Sequence, residues 1–306
     1  MLTLFAWPQA RFEPRDLPLG IAGPPQATAL LEARLAEAGD AFEVHRYADE
    51  ASARAAIEDR EVYGAIAASR TGVTLLTASA GSPAVAGLLQ EQFAAATPGG
   101  EGGSSQQAVA EVVDVVPADP DDPRGAALSA SVLPLLLAGI ITGALVATIT
   151  APGLVQLGAL LAASALAGLA AVAIAQGWLG VIEGSWVANA GVLSLTVLAV
   201  ALVVAGLVAL LGLPGIGVAA VLMVLIGNPW SGIGSAPELL PRPIGGIGQL
   251  FPPGAGGNAL RSTAFFDCAR AGGHVAVLIV WAVLGLVAMG AGAHRKQRAT
   301  GEAASR

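Results

Sequence analysis

The sequence predicts an α-helical polytopic membrane protein, with five complete transmembrane helices plus an N-terminal remnant of another, joined to a small extracytoplasmic α/β domain. Three observations predict this. Of 306 residues, 55% are hydrophobic and only 12% are charged, whereas an ordinary soluble domain is roughly 25% charged. The charges are also segregated: residues 1–127 hold 8 Arg and 18 Asp/Glu, residues 128–293 hold 3 of each, and residues 294–306 hold 4 Arg/Lys and 1 Glu. An acidic front region thus precedes a nearly neutral middle and a basic tail. Finally, the middle contains uncharged stretches of 58 residues, between Arg124 and Glu183, and of 54 residues, Gly184 to Pro237, where about 20 apolar residues suffice to cross the hydrocarbon layer.

Residues 1–16 begin with the apolar run Met1 to Trp7. It is too short for a signal peptide and lacks a basic start, so it is expected to be the end of a first transmembrane helix. Residues 17–117 predict the order βαβαββαβ. Leu17 to Ala22 is a short apolar strand, and Pro24-Pro25 opens a helix over 26–38 with Leu30, Leu31 and Leu35 on one face. Alternation at Phe42, Val44 and Tyr47 predicts a strand, Glu50 to Arg60 a helix, and Val62 to Ala68 and Val73 to Ala78 two strands meeting at Thr71-Gly72. Pro83 to Ala96 predicts a third helix, the Gly/Ser-rich stretch 98–107 a flexible insert, and Val109 to Val116 a last strand. Such a pattern favours a small α/β domain with a largely buried sheet. Residues 118–127, with three Pro-flanked or paired aspartates, form a stiff linker.

Residues 128–293 make the transmembrane domain. Its expected spans are Leu128 to Thr150, Gly153 to Ile174, about Ala190 to Leu213, a shorter one from Ile216 to Ile226, and Gly272 to Ala293. Pro152-Gly153 and Pro214-Gly215 supply the breaks. Small residues such as Gly139, Gly143, Ser164 and Gly168 recur at near-four spacing, which either permits close helix packing in lipid or reflects an Ala/Gly-rich composition. Within this domain, residues 229–270 mix prolines, glycines and apolar residues; they are too apolar for a free loop and too broken for a span. Short helices re-entering the membrane suit such a stretch, provided protein satisfies their backbone. The basic cluster His294 to Arg298 makes 294–306 a cytoplasmic tail. Threading back through five spans puts the acidic domain outside the cell membrane, with Trp178, Trp186 and Trp230 near the outer interface.

Most chemistry is excluded. The single lysine, Lys296, follows no glycine loop, so there is no P-loop. The glycines Gly20 and Gly23 lack dinucleotide-binding spacing, and no nucleophile elbow, zinc-protease motif or paired cysteines occur. One cysteine, Cys268, and the scattered His45, His274 and His294 make neither a disulfide nor a metal cluster. No catalytic residue, metal or cofactor is expected, and with a net charge of −7 no nucleic acid.

Phe251-Pro252-Pro253 followed by Ala259-Leu260-Arg261, just before the last helix, resembles the outer re-entrant segment of type-2 exporter permeases of ATP-binding-cassette (ABC) transporters. The nearer relatives implied are actinobacterial membrane proteins similar to phage-infection-protein-like permeases, with a large extracytoplasmic domain between the first two spans. The resemblance implies six spans, a separate ABC ATPase subunit, a dimer, and export of an amphipathic or lipid-like substrate. Glu238, Arg261, Asn228, Pro252 and Pro253 are the candidate functional residues of the outer segment. This sequence departs from such permeases in its short inside turns, Thr150 to Gly153 above all. The alternative is a non-transporting membrane anchor that presents the α/β domain to a partner.

Overall fold

The computed structural model describes residues 2–69, 72–96 and 109–304; the expected insert at 98–107 lies outside them. After a short helix α1 (Leu2–Gln9), the front region alternates β1 (Leu17–Ala22), α2 (Pro25–Glu37), β2 (Phe42–Tyr47), α3 (Glu50–Glu58), β3 (Gly64–Ala68), β4 (Gly72–Thr77), α4 (Pro83–Ala96) and β5 (Val109–Asp114). The five strands form one sheet in the order β2-β1-β3-β4-β5. All neighbours run parallel except the β3–β4 pair, which is antiparallel and brings Ile66 opposite Leu75. Helix-covered parallel strands are buried on both faces, and successive residues of β4 divide accordingly. Leu76 joins Ala53, Ala56 and Ile57 of α3 on one face, while Leu75 joins Leu17, Leu19 and the α4 residues Val85 and Leu89 on the other.

Asp122 joins this domain to the helices. Its two carboxylate oxygens accept from the backbone N–H groups of Ala126 and Ala127, each at 2.8 Å, satisfying two donors that the helix itself leaves orphaned. That helix, α5 (Ala126–Ile149), is followed by α6 (Leu154–Val172, continuing through a π-helical turn to Trp178) and α7 (Trp186–Leu211). A broken helix comes next: α8 (Pro214–Ala220), a π-helical stretch Val221–Gly227, and α9 (Asn228–Trp230). Then come α10 (Ile244–Gln249), α11 (Pro252–Phe265) and α12 (Ala271–Ala304).

Among the described residues, four helices are long and apolar enough to cross a membrane: Ala126–Ile149, Leu154–Trp178, Trp186–Leu211 and Ala271–Arg298. The fifth expected span falls within Pro214–Trp230, which is apolar but shorter. Seventeen residues rise about 25 Å, less than the roughly 30 Å of the hydrocarbon core. Asn228-Pro229 and the wide π turns interrupt it where a full span would continue.

Helix α7 is the axis of the bundle. Its most apolar window is 67% buried, against 22–33% in the other three long helices, because α5, α6, α8, α11 and α12 all pack against it. Close approach depends on residues without side chains. A Cβ on Gly143 of α5 would lie 2.5 Å from the carbonyl oxygen of Ala201, and one on Gly168 of α6 would lie 2.4 Å from the backbone N of Ser194. The small-residue spacing in α5 and α6 is therefore packing and not composition alone.

Helix α11 runs antiparallel along the half of α7 nearest the α/β domain. Gly256 abuts Thr196, and seven residues further along α11 the Thr263 hydroxyl donates to Asn189 Oδ1 at 2.7 Å. The start of α11, eleven residues before Thr263, thus lies about 16 Å deeper along α7. At that depth Pro253 and Phe251 lie against Gly227, and Trp281 of α12 donates its Nε1–H to the Leu250 carbonyl at 2.6 Å. Every residue of α11 from Pro252 to Ala264 is buried.

Candidate functional site

The α/β domain is fastened to the segment between α9 and α12. Ala236 and Leu239 lie in the same apolar cluster as Leu17 and Leu19 of β1, and Phe266 lies in the cluster beneath α3. Backbone bonds reinforce this: the N–H of Arg15 donates to the Glu238 carbonyl at 3.0 Å and that of Glu13 to the Leu239 carbonyl at 3.3 Å. Between the two parts lies a cavity of about 520 Å³, walled by residues of both, among them Arg60, Tyr63, Glu238, Gln249, Asn258 and His274. Its size lies within the range of small-molecule sites.

Arg60 is placed there by the end of α3. The helix stops at Glu58, and Arg60 takes a left-handed backbone conformation with φ +57°, turning the chain toward β3. Its Nη1 donates to the Asn258 carbonyl at 3.1 Å and the Ser262 hydroxyl at 2.5 Å, and its Nη2 to Asn258 Oδ1 at 3.0 Å. The Phe266 ring covers the guanidinium face at 5.2 Å. Asn258 Oδ1 also accepts from Nη1 of Arg261 at 3.2 Å, and Arg261 Nη2 reaches the Ile233 carbonyl at 2.8 Å. The amide of Asn258 donates to Gln249 Oε1, and that of Gln249 to the Ser231 carbonyl, both at 2.7 Å. This chain ties α3, α10, α11 and the irregular stretch after α9 into one unit. It supplies partners for backbone that no helix satisfies.

The electrostatics are unbalanced. Arg242 pairs with Asp16, Arg15 with Glu13, and Arg270 with Glu61 at 3.5 Å. Among the described residues, neither Arg60 nor Arg261 makes an ion pair. The two guanidiniums both donate to one neutral amide oxygen, at 3.0 and 3.2 Å, so their like charges lie close enough to repel. The nearest relief is Glu238, whose Oε2 accepts from the Tyr63 hydroxyl at 2.9 Å. Burial raises the Glu238 carboxyl above its ordinary range, with the Tyr63 bond and Arg60 offsetting part of that, and burial pushes the Tyr63 hydroxyl up as well. Burial also lowers the Arg60 guanidinium below its usual value.

The five residues singled out from the sequence separate into two groups. Glu238 lines the cavity, and Arg261, only 4% exposed, stands behind it, linked through Asn258. Pro252 and Pro253 open α11, with Pro253 against Gly227, the residue before Asn228, whose carbonyl accepts from the Ser231 hydroxyl at 2.7 Å. His274 lines the cavity at the start of α12, whereas His45 stands on edge strand β2 beside Glu43, at 3.5 Å. Trp178 and Trp186 are exposed near the loop between α6 and α7, but Trp230 lies deeper, its backbone pressed against Gly248. The Gly20 to Gly23 turn is filled by its neighbours: a Cβ on Gly23 would lie 2.3 Å from the Ala68 carbonyl oxygen. Among the described residues no group of three His, Cys, Asp or Glu could hold a metal.

Sequence reading missed Arg60, Tyr63, Gln249, Asn258 and Phe266. Only Arg60 carried a local signal, an arginine at the breakpoint between helix and strand; Tyr63, Asn258 and Phe266 depend on contacts across some 200 positions of chain, and Gln249 on how α10 folds back on α11. No family model matches the chain, and comparison with curated proteins and with solved structures finds no match.

Proposed function

We propose that the chain is a multi-pass subunit of a permease-like exporter in the cell membrane, passing an amphipathic or lipid-like substrate outward with a separate ABC ATPase. In this reading the α/β domain faces outward and α12 ends in the cytoplasm, where His294 to Arg298 carry the basic charge expected on that side. The observation that carries the reading is the cavity of about 520 Å³ where the α/β domain meets the broken helices. A domain held only as a passenger needs no such partly open space, lined by apolar and polar groups, against irregular backbone. Ion-driven transport has less support, since the four long apolar helices hold few ionisable groups.

The membrane-anchor alternative draws on a different observation. The turns at the far end of the bundle, Thr150 to Gly153 and Gly212 to Leu213, are too short to offer an ATPase a helix to push. Purification from the native membrane in mild detergent, followed by mass spectrometry, separates the two. A stoichiometric ATPase supports the permease; an envelope protein recovered on the α/β domain, without an ATPase, makes the helices an anchor.

A further inference from the structure

Arg60 is a cation with two of its five donors unspent. A guanidinium carries five N–H donors. Three hydrogen bonds to Asn258 and Ser262 engage Nη1 and one hydrogen of Nη2. Phe266 covers a face of the group. Its Nε–H has no partner among the described residues, and Arg60 lines the cavity. The Nε–H and the second Nη2 hydrogen lie on one edge of the planar group, the fork that grips two oxygens of a carboxylate or phosphate at once. The other three guanidiniums of the wall, on Arg15, Arg242 and Arg270, already have carboxylate partners. Behind Arg60, Arg261 adds a second unpaired positive charge through the shared Asn258 oxygen. The wall also carries apolar groups, among them Val62, Leu240 and Phe266, the last lying against Arg60 itself.

We propose that this cavity binds the oxyanion headgroup of an amphipathic molecule, gripped by the free edge of Arg60, with the apolar groups of the wall receiving the adjoining carbon chain. The proposal rests on the permease reading for its amphipathic substrate and adds the charge that the substrate carries. An anion there supplies a direct ion-pair partner, which neither Arg60 nor Arg261 has and which the buried Glu238 offers Arg60 only at a distance. Glu238 stands by as the internal acid. With its carboxyl hydrogen-bonded to Tyr63 and disfavoured as an anion by burial, it repels an incoming oxyanion less than an exposed glutamate would.

The test uses the full chain in detergent and dihexanoyl phosphatidate as probe, with binding measured by calorimetry. Inorganic phosphate and zwitterionic dihexanoyl phosphatidylcholine are run beside it. Phosphatidate is expected to bind saturably, and each of the other two at least tenfold more weakly. Arg60→Gln should weaken phosphatidate at least tenfold, with Arg60→Lys recovering part of that loss as a point charge without the fork. If Arg60→Gln does not fold, Gly246→Leu decides, because Gly246 borders the cavity with nothing within 4 Å of its Cβ position. A side chain there is expected to take up part of the cavity, and none of the hydrogen bonds of Arg60 involves Gly246. Arg295→Gln in the basic tail should leave binding unchanged.

Phosphatidate binding that survives both Arg60→Gln and Gly246→Leu, or that is lost with Arg295→Gln, overturns the site. Phosphate binding as tightly as phosphatidate overturns the amphipathic part, and phosphatidylcholine binding as tightly overturns the charge. The permease reading fails separately: binding without a co-purifying ATPase removes transport and leaves the site, whereas an ATPase without binding does the reverse.

Discussion

A carboxyl in the surroundings of Glu238 makes the stability of the protein depend on pH in a direction opposite to that of an ion-paired acid. Burial raises it above the ordinary value of 4.5. Below about pH 4.5 the group is protonated in both the folded and unfolded chain, and its contribution is complete. As pH rises past that point the unfolded chain releases the proton first, and stability is lost until the folded carboxyl also ionises. Glu238→Gln keeps an acceptor for Tyr63 and cannot ionise. The Tm advantage of this variant over the wild type should therefore be near zero at about pH 4.5 and grow toward pH 7; an advantage independent of pH contradicts the assignment. Arg261 behaves differently. It is buried and holds the Ile233 carbonyl, so Arg261→Ala should cost about 1–3 kcal/mol for the orphaned acceptor. It should lower protein abundance along with any activity, which distinguishes a strut from a surface contact.

Individual elements were legible where a local rule governs them. The helix read over 26–38 forms as Pro25–Glu37, because two prolines can open a helix but not sit within it. The strand at Leu17 begins where its short apolar run does, and that at Phe42 where the alternating apolar residues do. The spans opened by Leu128 and ended near Leu213 match helices because nothing charged interrupts them. Illegible was which small residues matter. Gly143 and Gly158 look alike in sequence, yet a Cβ on the first meets Ala201 and Val204, and one on the second meets nothing within 4 Å. Gly143→Val should destabilise by about 1–3 kcal/mol through overpacking against α7. Gly158→Val should change stability by about 0.5 kcal/mol or less. Thermal melts of both variants in the same detergent check this, and equal effects would mean that lipid-facing and α7-facing glycines are equivalent.

For the molecule as a whole, the consequence lies in the joint between its two parts. Arg60 to Asn258 and Ser262, and Tyr63 to Glu238, bridge from the front domain to the α9–α12 segment. With a charged hydrogen bond worth about 1.5–3 kcal/mol, the double variant Arg60→Gln, Tyr63→Phe should raise the undocked population about tenfold or more. Limited proteolysis should then cut the 118–125 linker correspondingly faster; an unchanged rate would mean that the apolar contacts of Leu239 and Phe266 suffice. By itself the sequence determined the division into an acidic α/β domain and an apolar helical region, because charge and hydrophobic period are local and survive in one dimension. It also marked 229–270 as irregular, since prolines and glycines act on their immediate neighbours. Only the tertiary structure decided that α7 is the axis, that Pro214–Trp230 is a broken helix shorter than a full span, and that Arg60 and Glu238 line one cavity. Those outcomes depend on which distant surfaces meet, and a single unaligned sequence carries no record of pairings made across some 200 residues.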